Sequence, residues 1–323
     1  MLKKLTKQRE FMIFVVVLGV FIIMSFASPY FLTTGNLLAV LLGLSLEAII
    51  AVGMVNLMAS GGFDLSVGSV VGFTGAATAM FVKLGIPVPL AVLFGLGLGA
   101  LIGLFNGVIV SKIGINAFVT TLSSLSLFRG LTLIITKGKN VTGIGRAFKS
   151  IGQAKLMGIQ MPIFYAIILV IVGDILLRKS RFFRQSYYIG GNEQAARLSG
   201  INVDRMKILN FVITGLLAAA AGIVMTARLG AASVTTGTGM ELRVITAVII
   251  GGASLQGGEG TVLGAFLGTF LMGMITNALT LLGVDVYWQT FVIGATLLIA
   301  VLIDRLGKMR GEGKLTFLKK RPE

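Results

Sequence analysis

Long apolar runs separated by short polar stretches are the main pattern of the chain. Most runs are rich in Leu, Ile, Val, Ala and Gly and have no polar face. A helix that is apolar on every side is typical of a membrane span, and about 20 residues cross a bilayer. The pattern predicts an all-α polytopic membrane protein with about ten transmembrane helices, at residues 11–27, 37–59, 65–82, 88–110, 115–136, 161–177, 208–229, 241–255, 261–282 and 287–303.

Three of these runs are atypical. The runs 65–82 and 241–255 are short and flanked by glycine, which favours a re-entrant path for one of them. The run 11–27 follows basic residues and ends in Ser25-Phe26-Ala27, an arrangement that would also suit a cleaved signal peptide. Its 17 residues are long for the apolar part of a signal peptide, so we predict a retained first span.

The distribution of Lys and Arg predicts the orientation of the spans. With ten spans, three basic stretches fall on one side, which the positive-inside rule makes cytoplasmic. They are an amino-terminal segment 1–10, a loop at 178–207 and a tail at 305–323, on either side of a transmembrane domain that spans 11–304. The N- and C-termini are therefore predicted to be cytoplasmic. The segment 137–155 has five basic residues and no acid but falls outside, so either a crossing is miscounted or it contacts an extracytoplasmic partner, which we favour.

The amino-acid composition excludes several classes of catalytic and metal-binding function. The chain is 55% hydrophobic and 12% charged, with a net charge of +16 and neither Cys nor His. Disulfides, iron–sulfur clusters and thiolate zinc sites are excluded, and the commonest metal ligand and general base is absent. We predict no catalytic residue and no metal site. Because the basic residues lie in short loops, they are expected to contact membrane lipid rather than nucleic acid.

Two further patterns concern glycine. Gly-Gly-Phe-Asp-Leu at 61–65 is similar to Gly-Gly-Ala-Ser-Leu at 251–255, which indicates either an internal repeat or chance similarity. Glycine also recurs every fourth residue in the fourth run, at Gly95, Gly99, Gly103 and Gly107. Such a stripe of small residues predicts close packing against another helix.

The loop 178–207 is too polar to span a membrane and contains one short predicted helix. Asn192 is a good N-cap, Glu193 suits a first helical turn, and Gly200 is a natural stop. A helix of about two turns is therefore expected between glycines. It is either a docking element for another protein or a solvated connector.

Three stretches carry a resemblance to a known family. They are Gly-Gly-Phe-Asp-Leu-Ser-Val-Gly-Ser at 61–69, Gly-Gly-Asn-Glu-Gln-Ala-Ala-Arg-Leu-Ser-Gly-Ile at 190–201, and Gly-Thr-Gly at 237–239 followed by Gly-Gly-Ala-Ser-Leu-Gln-Gly-Gly at 251–258. The sequence resembles the permeases of ABC importers, in the ribose and monosaccharide branch that depends on a binding protein. The likeness runs from Asn36 to Asp304. Phe63 departs from the isoleucine common in that branch, an apolar exchange that changes little.

The resemblance implies a division of labour in the bacterial inner membrane. Two permease copies, identical or different, would form the pathway, and an extracytoplasmic binding protein would deliver the solute. The solute remains open among ribose, other monosaccharides, a nucleoside and a furanose-like signal. A cytoplasmic ABC ATPase would hold ATP and Mg²⁺, since this chain has no phosphate-binding Gly-x-x-x-x-Gly-Lys-Ser/Thr motif and is expected to bind no cofactor. The residues implied in ATPase coupling are Gly191, Asn192, Glu193, Gln194, Ala195, Ala196, Arg197, Leu198 and Gly200.

Polar residues inside apolar runs are the candidates for the solute pathway. They are Asp64, Ser66, Asn106, Thr120 and Glu47. Asp64 either caps the next helix or contacts solute hydroxyls, and Glu47 needs a partner, for which Arg129 is the candidate. Glu241 and Arg243 are expected to pair at the surface. The alternative function is an ion-coupled secondary transporter without an ATPase, with Glu47 and Asp64 as the ion-binding groups.

Overall fold

The computed structural model describes residues 9–311, and those residues are almost entirely helical. The helices are α1 (Arg9–Ala27), α2 (Thr34–Ala59), α3 (Val67–Lys83), α4 (Val88–Val108) with a π-helical turn at Ile109–Ile113, α5 (Ala117–Thr136), α6 (Arg146–Gln153), α7 (Met161–Lys179), α8 (Gln185–Gly191), α9 (Glu193–Leu198), α10 (Val203–Leu229), α11 (Met240–Ile250), α12 (Val262–Leu281) and α13 (Val286–Gly311). A small hairpin of β1 (Lys155–Leu156) and β2 (Ile159–Gln160) precedes α7. Most of the two predicted basic tails lies outside the described residues.

Eight helices in the described part of the chain are long and apolar enough to cross a membrane: α1, α2, α4 with its π-turn, α5, α7, α10, α12 and α13. The other two predicted spans are shorter. Helix α3 has 17 residues and α11 has 11, which correspond to about 26 Å and 16 Å at 1.5 Å per residue. A hydrocarbon core is about 30 Å thick, so neither helix crosses it alone. The prediction of ten full transmembrane helices is corrected to eight long helices and two short ones.

Each short helix is preceded by a non-helical arm, residues 60–66 before α3 and residues 230–239 before α11. The arms start at opposite ends of the bundle. The first begins where Ala59 contacts Gly190, close to α9, whereas in the second Ala232 pairs with Val141 at the other end. Arm and helix together make one crossing in each case. Discontinuous helices of this kind are common in transporters.

This arrangement fixes the place of the basic segment 137–155. It lies against the carboxyl end of α10, where the Gln153 side chain donates to the Arg228 carbonyl, while α9 lies next to the amino end of α10. The segment is thus at the end opposite α9, on the side where the ten predicted runs place it. The two similar glycine stretches are not equivalent, because 61–65 precedes a short helix and 251–255 follows one.

Helix α10 is the centre of the bundle and packs on α2, α3 and α4. The predicted glycine stripe of α4 faces it. A Cβ atom at Gly107 would lie 2.9 Å from the Ile208 Cα, and one at Gly103 would lie 2.8 Å from the Val212 Cα. Only glycine allows the two backbones to come so close, which confirms the predicted packing stripe.

Candidate functional site

The short helix predicted in the polar loop is present as α9. The Asn192 side chain caps it by accepting a 2.9 Å hydrogen bond from the Ala195 amide, and Gly200 follows with a left-handed φ of +81°. Ala196 is buried against Ile189 and Met206. Ala195 and Leu198 point away from the bundle, and Leu198 is 91% exposed. The helix therefore has one face that holds it to the membrane helices and one free apolar tip.

Ion pairs hold α9 against the start of α10. Glu193 lies 2.6 Å from the Lys207 ammonium and 3.0 Å from the Arg197 guanidinium, which also reaches Asp204 at 2.7 Å. Lys112, in the π-turn after α4, joins Asp204 at 3.4 Å. The hydrogen bond from Lys207, followed by that from Arg197, lowers the pKa of the Glu193 carboxyl below its usual 4.5. These contacts connect the loop helix to two membrane helices.

The lowered pKa of Glu193 gives a pH prediction. A depressed folded-state pKa stabilises the folded arrangement above the usual value of 4.5 and loses that contribution as the pH falls below it. We expect the amide protection factors of 192–199, from hydrogen exchange in nanodiscs, to stay constant from pH 7 to pH 5 and to fall below pH 4.5. Glu193→Gln should lower them at pH 7 and flatten this pH dependence. An unchanged pH dependence in Glu193→Gln would show that other groups control the docking of α9.

Three backbone segments next to α9 are in direct contact with no side chain between them. A Cβ atom at Gly190, near the end of α8, would collide with the Ala59 carbonyl oxygen and the Gly258 nitrogen. The Gly258 amide itself donates to the Ala59 carbonyl at 2.9 Å, and a Cβ at Gly257 would lie 2.9 Å from the Gly61 Cα. We call Gly61, Gly190, Gly257 and Gly258 the glycine junction. It joins α8 to the arm that leads into α3 and to the loop that follows α11.

A buried amide supports this junction from inside the bundle. The Asn210 side chain accepts from the Asn56 amide at 2.7 Å and donates to the hydroxyls of Ser60 and Ser186 at 3.0 and 3.1 Å. All four residues are buried. The sequence analysis did not select them, although Asn56 and Asn210 are polar residues inside apolar runs and such a position was a usable signal.

Three predicted pathway residues form one buried chain at the start of α3. The Asp64 carboxylate accepts from the Ser66 amide at 2.7 Å and from its hydroxyl at 2.6 Å, and the Asn106 amide donates to that hydroxyl at 3.0 Å. The Ser124 hydroxyl donates to the Asn106 carbonyl oxygen. Asp64 thus fixes the turn at Ser66, the residue before the first helical turn, and does not itself cap the amides of that turn. Asp64, Ser66, Asn106 and Ser124 are each 0–2% exposed, so their side chains are closed off from solvent.

The remaining two candidates are separate from that chain. Thr120, one turn before Ser124 on α5, is also buried, and its hydroxyl has no hydrogen-bond partner among the described residues. Glu47 pairs with Arg243 at 2.6 Å, so the predicted pairing with Arg129 is wrong. Helix α11 packs on α2, which places Arg243, near the start of α11, opposite Glu47. The ion pair lines a cavity of about 360 Å³.

Arg129 instead holds the arm before α11. Its guanidinium donates to the carbonyl oxygens of Thr236 at 2.8 Å, Val234 at 3.3 Å and Gly68 at 3.4 Å. The Glu241 carboxylate lies directly against Gly68, and its Oε2 has no hydrogen-bond partner among the described residues. The expected surface pairing of Glu241 with Arg243 is therefore wrong, because both residues are partly buried and face different helices.

Long membrane helices, two discontinuous crossings and a polar loop helix with a free tip define the membrane subunit of a transporter. The pattern of the family described as "Branched-chain amino acid transport system / permease component" matches residues 36–301, and the chain belongs to this family. The ribose import permease protein of Haemophilus influenzae is 39% identical over 304 residues, 93% of each chain. An autoinducer 2 import system permease of an Enterobacter strain is 35% identical (96% and 90% covered), and the L-arabinose transport system permease of Escherichia coli is 39% identical (86% and 84%). No solved structure matches the chain.

Membership establishes the general role. The chain is a permease subunit of an ABC importer, not an enzyme, and a multi-pass protein of the bacterial inner membrane. ATP is used by a partner ATPase, and import systems of this kind include a binding protein. The comparisons give no support to the ion-coupled alternative.

Proposed function

We propose that the end of the bundle that carries α9 is cytoplasmic and that α9 is the docking element for the ATPase. The observation that supports this most directly is the 91% exposed Leu198 on a helix that six charged and amide groups hold in place. A large apolar side chain on a polar cytoplasmic loop is well suited to a partner's pocket. Gly191, Asn192, Gln194, Ala195 and Arg197 surround the tip, and Ala196 and Gly200 shape the helix from behind.

The glycine junction is the proposed route from α9 to the pathway. Movement of α9 moves α8, whose Gly190 is in backbone contact with the loops at the ends of α2 and α11. These loops connect to the two discontinuous crossings. Closure of the ATPases would then shift the population between inward-facing and outward-facing states through packed backbone.

The docking proposal is tested by Leu198→Asp. We expect the variant to be inserted in the membrane and to lose co-purification of the ATPase, because a carboxylate replaces the apolar tip. Leu84→Asp is the matched control, since Leu84 is 76% exposed at the opposite end. Retention of the ATPase by Leu198→Asp, or its equal loss in both variants, would contradict docking on α9.

We propose a neutral polyhydroxylated solute of about pentose size, carried by a dimer of permeases. The support is that the relatives are import or transport permeases for ribose, L-arabinose and autoinducer 2, although the family description names branched-chain amino acids. In proteoliposomes with the ATPase and the binding protein, ribose uptake should be inhibited by excess unlabelled arabinose and unaffected by leucine. Inhibition by leucine alone would overturn the solute class.

The basic segment 137–155 is the proposed contact for the binding protein. It lies at the extracytoplasmic end, with Lys137, Lys139 and Arg146 exposed, and the buried Phe148 anchors α6 below them. A surface with five basic residues and no acid suits an acidic partner.

A further inference from the structure

The arm before α11 lies at the depth of the membrane centre although it is not helical. Gly237 is in backbone contact with Gly68, which lies about 22 Å along α3 from Lys83 at the outer end. From Met240, α11 runs about 15 Å down to the cytoplasmic end at Ile250. The segment 233–239 therefore descends from the outer end to the middle of the bilayer.

The side chains of this arm are polar and partly open. Thr235 and Thr238 are exposed, and the Thr238 hydroxyl donates to the Thr235 carbonyl at 2.8 Å. On the neighbouring helix α5, Ser126 is also exposed and precedes Arg129 by one turn. The guanidinium of Arg129 joins the two elements through its bonds to the Val234 and Thr236 carbonyls. Thr235, Thr238 and Ser126 are therefore exposed hydroxyls on two elements that Arg129 links.

Lipid tails do not cover a non-helical segment such as the arm before α11. Non-helical backbone at membrane depth occurs only where protein buries it or where it lines a water-filled cavity. The exposed part of the arm at Thr235 and Thr238 therefore contacts water or protein and not lipid tails. It differs from the Asp64–Ser66–Asn106 chain, which is closed inside the bundle.

We propose that Thr235, Thr238 and Ser126 line the solute pathway at the membrane centre. This inference rests on the proposed function and deepens it. A hydroxyl can donate one hydrogen bond and accept up to two, which matches the hydroxyl groups of a neutral polyhydroxylated solute. The three nearest acceptors of Arg129 are backbone carbonyls, so its charge stabilises the arm and positions these hydroxyls.

The natural absence of cysteine makes the test direct. Thr235→Cys, Thr238→Cys and Ser126→Cys are made singly in the full importer and treated with the membrane-impermeant reagent sulfonatoethyl methanethiosulfonate. We expect labelling more than about tenfold faster than for a thiol in apolar surroundings, which does not ionise. Matched controls are Ile168→Cys, 57% exposed on the outer surface of α7, and Thr246→Cys, which is buried. Labelling at 238 should also stop uptake.

Labelling and uptake are scored separately. If Thr235→Cys and Thr238→Cys react no faster than Ile168→Cys, a second copy or lipid covers the arm and the inference is overturned. If both react but uptake continues at full rate, the arm is wet but lies outside the pathway, which also overturns it. Failure of the unmodified importer to take up any solute would count against the proposed function, and the labelling rates would still decide whether the arm is open to water.

Discussion

Replacing Gly190 by alanine should reduce solute uptake about tenfold or more and leave the membrane helices folded. The new Cβ would collide with the Ala59 carbonyl and the Gly258 nitrogen, which are both backbone atoms and cannot rotate away. Overpacking of this kind costs about 1–3 kcal/mol. If one transport state carries the penalty, about 1.4 kcal/mol already changes the ratio of states tenfold. The backbone segments of the glycine junction would have to separate. Movement of α9 would then no longer be transmitted to the arms before α3 and α11.

An exposed glycine far from α9 provides the control for this variant. A Cβ atom at Gly294, on α13, would meet nothing within 4 Å, so Gly294→Ala should transport normally. Both variants are reconstituted with the ATPase and the binding protein, and uptake and ATP hydrolysis are measured together. We expect Gly190→Ala to hydrolyse ATP without matching uptake. Equal uptake by both variants would show that the junction does not transmit the movement.

The sequence was sufficient for features that depend on local pattern. The apolar runs predict the eight long helices because a bilayer selects for length and uniform apolarity. The capping pattern around Asn192 and Gly200 predicts α9, because cap, first turn and stop all lie within ten residues. The stripe from Gly95 to Gly107 predicts the packing face of α4, although not that its partner is α10.

The sequence was insufficient where tertiary neighbours decide. Residues 65–82 have the composition of a span, and only the contact of Gly68 with Gly237 shows that α3 begins at mid-depth. Arg129 and Arg243 are equally plausible partners for Glu47, and the packing of α11 on α2 selects Arg243. The pathway candidates were chosen for polarity alone. Exposure, which decides whether a hydroxyl faces a pathway or a neighbouring helix, follows from the fold.

Replacing Gly99 by alanine should destabilise the permease by about 1–3 kcal/mol, the second large effect we expect. Helix α4 packs on α10 through glycine, and a Cβ at Gly99 would overlap the Ala219 Cβ and lie 2.5 Å from the Gly215 carbonyl oxygen. The two helices would have to separate, and Asn106 on α4 would be drawn away from Ser66.

Gly97→Ala, two residues earlier on the same helix, is the control that separates the effect of helix packing from the effect of helix propensity on stability. Gly97 is exposed, and a Cβ there would meet nothing within 4 Å, so Gly97→Ala should be neutral or slightly stabilising. The midpoint of thermal unfolding in nanodiscs is measured for both variants. A lower midpoint for Gly99→Ala alone would show that the close contact of α4 with α10 stabilises the fold. Equal midpoints would mean that the helices separate at no cost, and the close backbone contact would then not stabilise the fold.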